Sequence, residues 1–243
     1  MRIDFISLFP EFFDAFFSHS IIKRAISSGL LDMAVTNPRN FSHNKHQQVD
    51  DTPYGGGSGM LMMAPPIFEA VEHVITHKAT HRRIVFLGPA GERFTQDKAK
   101  ELATYDQLVL VCGHYEGIDY RVEEHLVDET ISIGDFVVTG GELPAMVVAD
   151  AVARMIPGVL GAPTGSAEDS FYRPILECPQ YTKPPEYRGW TVPDVLRSGH
   201  HANIATWRLE EAIKRTIQLR PDLLERELSN EEYKIVKRLR EKK

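Results

Sequence analysis

The sequence predicts an α/β fold: a mainly parallel sheet with helices on both faces, followed by a small helical C-terminal domain. Three features lead there. Short apolar runs alternate with helically spaced segments over the first two-thirds of the chain, as in sheets whose crossovers are helices. The pattern then fails between Pro157 and Pro193, where seven of the fifteen prolines fall, marking a linker or an ordered irregular segment. Helical spacing resumes beyond it.

In chain order, "RIDFIS" reads as a strand, followed by a phenylalanine-rich helical stretch to Gly29 and by the strand "LDMAVT". A glycine-rich loop, "YGGGSGM", leads to Pro65 and Pro66, after which Ile67, Val71, Val74 and Ile75 keep helical spacing. "RIVFLG" is a buried strand, and Thr95 is an N-cap for a helix through "DKAKELATY". "QLVLVCG" is a further strand and "YRVEEHL" a short helix. "ISIGDFVVTGGELPAMVVAD" begins as a strand, turns on Gly140 and Gly141, and reads as a helix from Pro144. Two glycines beside one carboxylate, Glu142, give this junction more backbone freedom than a simple turn needs. Near the C-terminus, Ile204, Trp207, Ile213 and Ile217 keep core spacing, and Ser229 with Glu232 forms a capping box before Ile235, Val236 and Leu239. The expected division is a first domain over 1–160, a flexible linker over 161–176 and a helical domain over 177–243.

At 243 residues, 42% hydrophobic, the chain is long enough to bury a substantial core. Asp4, Glu11 and Asp14 interrupt the apolar N-terminus, and no apolar run of about 18 residues follows, so neither a signal peptide nor a membrane span is expected. Cys112 and Cys178 are too few for a disulfide framework and fit a reduced, cytoplasmic setting. A net charge of −6 argues against a surface that binds nucleic acid everywhere. The charge is uneven, however. Residues 171–243 hold 15 Lys and Arg against 11 Asp and Glu, whereas residues 1–170 hold 13 against 23. A basic C-terminal region on an acidic body suggests a polyanionic partner held by that region, or simply a solvated helical surface.

Parallel sheets bind ligands at the carboxyl ends of their strands. Three strands here end in glycine-bearing loops, "FLGPAGERF", "VCGHYEGID" and "IGDFVVTGGE". Together they outline a pocket floored by backbone and suited to a flat polar ligand such as an adenine nucleoside. Neither a G-x-G-x-x-G dinucleotide fingerprint nor a P-loop is present, which counts against nicotinamide enzymes and NTPases. His43 with His46 is a weak metal signal, and no protein metal site is assigned.

"GDFVVTGGELPAMVVADAVARMIPG" and "CGHYEGID" resemble the bacterial tRNA (guanine-N1)-methyltransferase family of the SPOUT class. So do "ISLFPEFF", "YGGGSGM", "EDSF", "LECPQYTKP" and "VPDVLRSGHHANIATWR", in that family's order and spacing. The resemblance implies a parallel sheet whose C-terminal part threads into a deep trefoil knot, a homodimer with active sites shared between subunits, and S-adenosylmethionine bent into the knot loops. Carried over, Phe86, Leu87 and Gly88 form the first loop and Gly113, Tyr115, Glu116 and Gly117 the second. Ile133, Gly134, Asp135, Phe136, Val137 and Val138, with Gly140, Gly141 and Pro144, form the third. On this reading the glycines let main chain press against the cofactor.

The implied reaction methylates N1 of guanosine 37, next to the anticodon. Asp169 is the base, Arg154 holds the charge that shifts to O6, and Glu116 helps fix the guanine edge; Mg²⁺ can assist. The linker is expected to order when tRNA binds. Arg173, Lys183, Arg188, Arg197 and Arg208 are candidate phosphate contacts for the anticodon arm, and Trp190 is a candidate for stacking. The chain departs from the family pattern at His200, at Lys183, and at Phe86 and Phe136, where tyrosines are common. Those positions bear on tRNA contact and cofactor-edge hydrogen bonds rather than on the base. A knotted methyltransferase for another nucleoside or for ribose 2′-oxygen, and an RNA-binding module without catalysis, are the competing readings.

Overall fold

Five parallel strands carry the first part of the molecule in a computed structural model that describes residues 1–75, 79–161 and 169–241. They are β1 (Arg2–Ile6), β2 (Asp32–Thr36), β5 (Arg82–Arg93), β6 (Gln107–Cys112) and β7 (Glu129–Ser132), in the order β2-β1-β6-β5-β7. A two-stranded ribbon of β3 (Asp50–Asp51) and β4 (Leu61–Met62) lies outside this sheet. The chain divides into two compact units, Met1–Pro163 and Thr164–Lys243.

The strand side chains alternate between two cores, as the period of two requires. Ile3, Phe5, Leu108 and Leu110 face one cluster with Phe13, Ala99, Leu102, Val148 and Val152. Ile6, Val109, Val111 and Phe86 face the other, with Ile67, Val71, Val74 and Val122. The helices on these faces are α1 (Asp14–Ser18), α2 (Ser20–Ser27), α3 (Ala64–Val74), α4 (Gln96–Leu102), α5 (Tyr120–His125) and α6 (Glu142–Ala153). Asp4 is fully buried between them, yet Arg2 holds it through two hydrogen bonds of 2.7–2.8 Å and Gln107 donates a third at 2.7 Å. A buried carboxylate is tolerable only when satisfied in this way.

Several elements differ from the sequence reading. The phenylalanine-rich stretch is a 3₁₀ turn, Pro10–Phe13, and two short helices broken at extended His19 and at Ser20, whose φ is +54°. α6 begins at Glu142, with Pro144 inside its first turn, and α4 ends at Leu102. The strand "RIVFLG" runs on through "PAGER" to Arg93, because a bulge lets Leu87 and Glu92 both pair with Ile131. Gly91 is what permits it: a Cβ there would strike the backbone of Thr130.

The second unit contains a hairpin of β8 (Glu186–Tyr187) and β9 (Trp190–Thr191), then α7 (Asp194–Arg197), α8 (His201–Leu219) and α9 (Asn230–Glu241). Ile213, Ala212, Leu224, Ile235 and Val236 form its core with Ile175 and Cys178. The capping box closes as expected: Glu232 N–H donates to Ser229 Oγ at 3.2 Å and Ser229 N–H to Glu232 Oε2 at 2.9 Å. Residues 162–168, in the first half of the expected linker, lie outside the described residues, and so does any ordering on tRNA binding expected of them. Residues 169–176 belong to the second unit. Ile175 is buried there, and Leu176 N–H donates to the buried Thr216 hydroxyl at 3.0 Å. No helix among the described residues is long and apolar enough to cross a membrane.

Candidate active site

Because β6, β5 and β7 are neighbours and parallel, their carboxyl ends release three loops side by side. Those loops line one cleft of about 790 Å³, counting its open mouth. Fifteen of the sixteen residues assigned to a cofactor lie in its wall, Glu116 among them. The exception is Asp135, which turns away to pair with Arg93 at 2.5 Å. Pro89, His114, Ile131, Ser132 and Thr139 also line the cleft without having been singled out.

The loops are fastened by main-chain hydrogen bonds. Gly141 N–H donates to the Gly113 carbonyl at 2.8 Å, joining the third loop to the second, and Glu116 N–H donates to Met60 at 3.1 Å. Gly117 at φ +130° and Tyr115 at φ +61° both occupy the left-handed region, where a non-glycine residue stores strain. Tyr115 is held there with its hydroxyl accepting from Arg39 Nη2 at 3.4 Å.

The close approaches that the glycines allow are made by the protein itself. A Cβ on Gly88 would lie 2.7 Å from the Phe86 ring, and one on Gly113 would lie 3.0 Å from it. On Gly141 it would lie 2.6 Å from Cys112 Cα, so the first turn of α6 is seated directly on the end of β6. On Gly140 it would strike the Glu142 carboxylate and come within 2.6 Å of His114 Nδ1. These four glycines each admit a close approach of the protein's own atoms in the Cβ direction. They bring the aromatic plug Phe86, the helix α6 and a buried acid into place, and the cleft is the space left over.

Two groups of the sheet, neither of them in the cleft wall, have shifted titration. Burial pushes the Cys112 thiol well above its ordinary value and the neighbouring Glu142 charge adds to that, so Cys112 is packing rather than a nucleophile. Burial alone would raise the Glu129 carboxyl at the start of β7, but hydrogen bonds from Arg83 at 2.7 Å and Lys98 at 3.1 Å outweigh it and hold its pKa below the usual range.

The two other residues assigned to catalysis are not in this cleft. Arg154, half-buried, follows the last turn of α6, whose opposite end carries Pro144 into the cleft. Asp169 belongs to the second unit and lines a separate cleft there with Arg173, Glu177, Gln180, Arg208 and Glu231. Of the candidate phosphate contacts, Arg173, Lys183, Arg188, Arg197 and Arg208 are all exposed, with Arg197 3.6 Å from Asp194. Trp190 is 70% exposed on the hairpin, whereas Trp207 is partly buried beside Tyr181. His43 contacts Glu69 at 2.8 Å, and no three metal-ligating side chains converge among the described residues.

The family described as tRNA (Guanine-1)-methyltransferase TrmD matches residues 1–226. The chain is 57% identical over 238 residues to a tRNA (guanine-N(1)-)-methyltransferase of Desulforamulus reducens, covering 97% of this chain and 94% of that one. It is 51% identical over 241 residues to one of Halalkalibacterium halodurans, covering 99% and 98% of the two chains. With one of Bacillus cereus (strain AH820) it shares 50% over 244 residues, the full length of both. Matches of this extent take in the sheet, all three cleft loops and nearly all of the second unit: the chain belongs to the tRNA (guanine-1)-methyltransferase TrmD family and is a methyltransferase.

Proposed function

We propose that the protein transfers the methyl group of S-adenosylmethionine to N1 of guanosine 37 in tRNA, with Asp169 as general base. Membership of the family supports the tRNA guanine substrate. The cleft supports the donor: a wall rich in main chain, flanked by Phe86, Ile133 and Val138, suits a purine nucleoside with an aliphatic arm. When bound, S-adenosylmethionine supplies a methyl group already activated on a sulfonium. Guanine N1 carries a hydrogen at neutral pH, and Asp169 accepts it, leaving a nitrogen lone pair to attack. Arg154 holds the negative charge that shifts to O6, a preorganised electrostatic role, and Glu116 orients the guanine edge. Metal is assigned no step.

The observation that carries this reading furthest is the separation along α6. Arg154 lies ten residues beyond Pro144, about 15 Å along the helix axis, so its guanidinium does not serve the cleft at the other end. This supports a homodimer in which one subunit's cleft meets the partner's catalytic residues. The exposed face of α6 carries Leu143 and Val147, and the third loop exposes Phe136 and Val137. A second copy would cover this apolar surface and complete the site, with the knot of the family threading the three loops. The second unit would grip the anticodon arm through its exposed arginines.

The test supplies labelled donor with tRNA transcripts carrying guanosine or adenosine at position 37. Methylation of guanosine 37 alone is expected. Methylation of both would remove the N1-guanine assignment, and methylation of neither would leave an RNA-binding module. Asp169→Ala should lower turnover by about 1000-fold while donor binding persists.

A further inference from the structure

Behind the cleft wall lies an acid that the proposed chemistry does not use. Glu142, the first residue of α6, is 3% exposed. Its Oε1 accepts the Ser7 hydroxyl proton at 2.7 Å, and Ser7 Oγ accepts the N–H of Phe9 at 3.0 Å. Its Oε2 faces His114 Nδ1 across 4.0 Å, beyond hydrogen-bond distance, and that nitrogen is buried with no hydrogen-bond partner. His114 is packed between Phe9, at 4.8 Å between ring centroids, and Tyr115, at 5.1 Å. The bare Cα of Gly140 is what lets the carboxylate and the imidazole face each other.

Among the described residues this buried carboxylate has one side-chain donor, Ser7, and only the amino end of α6 to offset its charge, which leaves it under-compensated in the free protein. His114 and Gly140 both stand in the cleft wall, and the Glu142 charge is already felt at Cys112 beside it. The group that would balance such a charge is therefore a positive one placed in the cleft. We propose that Glu142 selects the charge of the methyl donor, favouring the cationic sulfonium over the neutral thioether that remains after transfer. His114 is its positioning residue: its ring lines the cleft and faces Oε2 at 4.0 Å. The proposal rests on reading this cleft as the donor site and adds a function to it: spent donor is held less firmly than fresh donor, which favours product release.

The two ligands differ by one methyl group and one positive charge, so the ratio of their affinities reads the field and not the packing. Calorimetric titration of the full chain at pH 8 with S-adenosylmethionine and with S-adenosylhomocysteine measures that ratio. Glu142→Gln keeps the volume and an acceptor for Ser7. It is expected to lower the sulfonium-to-thioether affinity ratio about tenfold, with thioether affinity within about twofold of the parent. His114→Lys, which sets a cation against the carboxylate, should lower the ratio in the same direction, and it carries the test if the glutamine variant does not fold. An unchanged ratio in the folded variants overturns the proposal, as does an equal loss of both ligands, which would mark Glu142 as structural only. If the parent protein binds neither ligand, the reading of the cleft itself fails instead.

Discussion

The two clefts of this molecule differ in how much of their walls is main chain and how much is charged side chain. The one in the first unit is walled by main chain and apolar side chains, its shape set by glycines that seat Phe86, α6 and Glu142. The one in the second unit sets Asp169, Arg173, Glu177, Gln180, Arg208 and Glu231 around an apolar floor that includes Ile175, Leu176, Leu209 and Ala212. A backbone wall is stiff, and its position depends on contacts that a single methyl group can block. A wall of long charged side chains adapts, and loses one interaction at a time.

That contrast can be broken by substitution. The largest effect is expected from Gly141→Val, whose side chain would meet the Cys112 backbone and lift the first turn of α6. Donor affinity should fall about a hundredfold in calorimetry, and an unchanged affinity would show that the wall yields as easily as the other. Arg208→Ala in the second unit should weaken tRNA binding by only about threefold to tenfold, equally for all sequences, and reduce the slope of affinity against salt by about one. A sequence-dependent loss would mean that Arg208 reads a base.

Thr216→Val sharpens the comparison from inside the second unit. It removes the hydroxyl that links Leu176 N–H to the Ala212 carbonyl, at 3.0 and 2.7 Å. A loss of about 1–2 kcal/mol is expected in denaturant unfolding, with faster hydrogen exchange at Leu176. Exchange unchanged at that amide would place the anchor of this segment elsewhere. The smallest effect belongs to Glu129. Its folded pKa lies below the unfolded one, so its contribution is complete above about pH 4.3 and is lost as pH falls through the folded value. Glu129→Gln should flatten the acid limb of a stability-against-pH curve, and an identical limb would assign acid sensitivity to other carboxylates.

The same contrast explains what the amino-acid sequence revealed. A close backbone approach demands glycine, and glycine is visible in one dimension, so all three loops of the first cleft could be found although their partners could not. Ser7 and Glu142 are 135 residues apart, and nothing local to either predicts their hydrogen bond. His114 lay inside a recognised motif, but its buried Nδ1 is a tertiary fact. The run of β5 through "GPAGER" was hidden because turn-forming residues usually end strands, and here pairing with β7 overrides them. Asp135 shares its loop with cleft residues, yet strand-end geometry turns it toward Arg93. Periodicity served best where a residue packs within its own helix face, as at Ile213 and Val236.

The seating of α6 on β6 has a mechanical corollary. A twelve-residue helix behaves as a short rod, and this one is pinned at its start by contact with a strand end and continues at its finish into Arg154. Because α6 is also buried at Ala145, Val148, Ala149, Val152 and Ala153, a displacement at the pinned end is carried through packed side chains toward Arg154, which couples the cleft wall mechanically to a distant guanidinium.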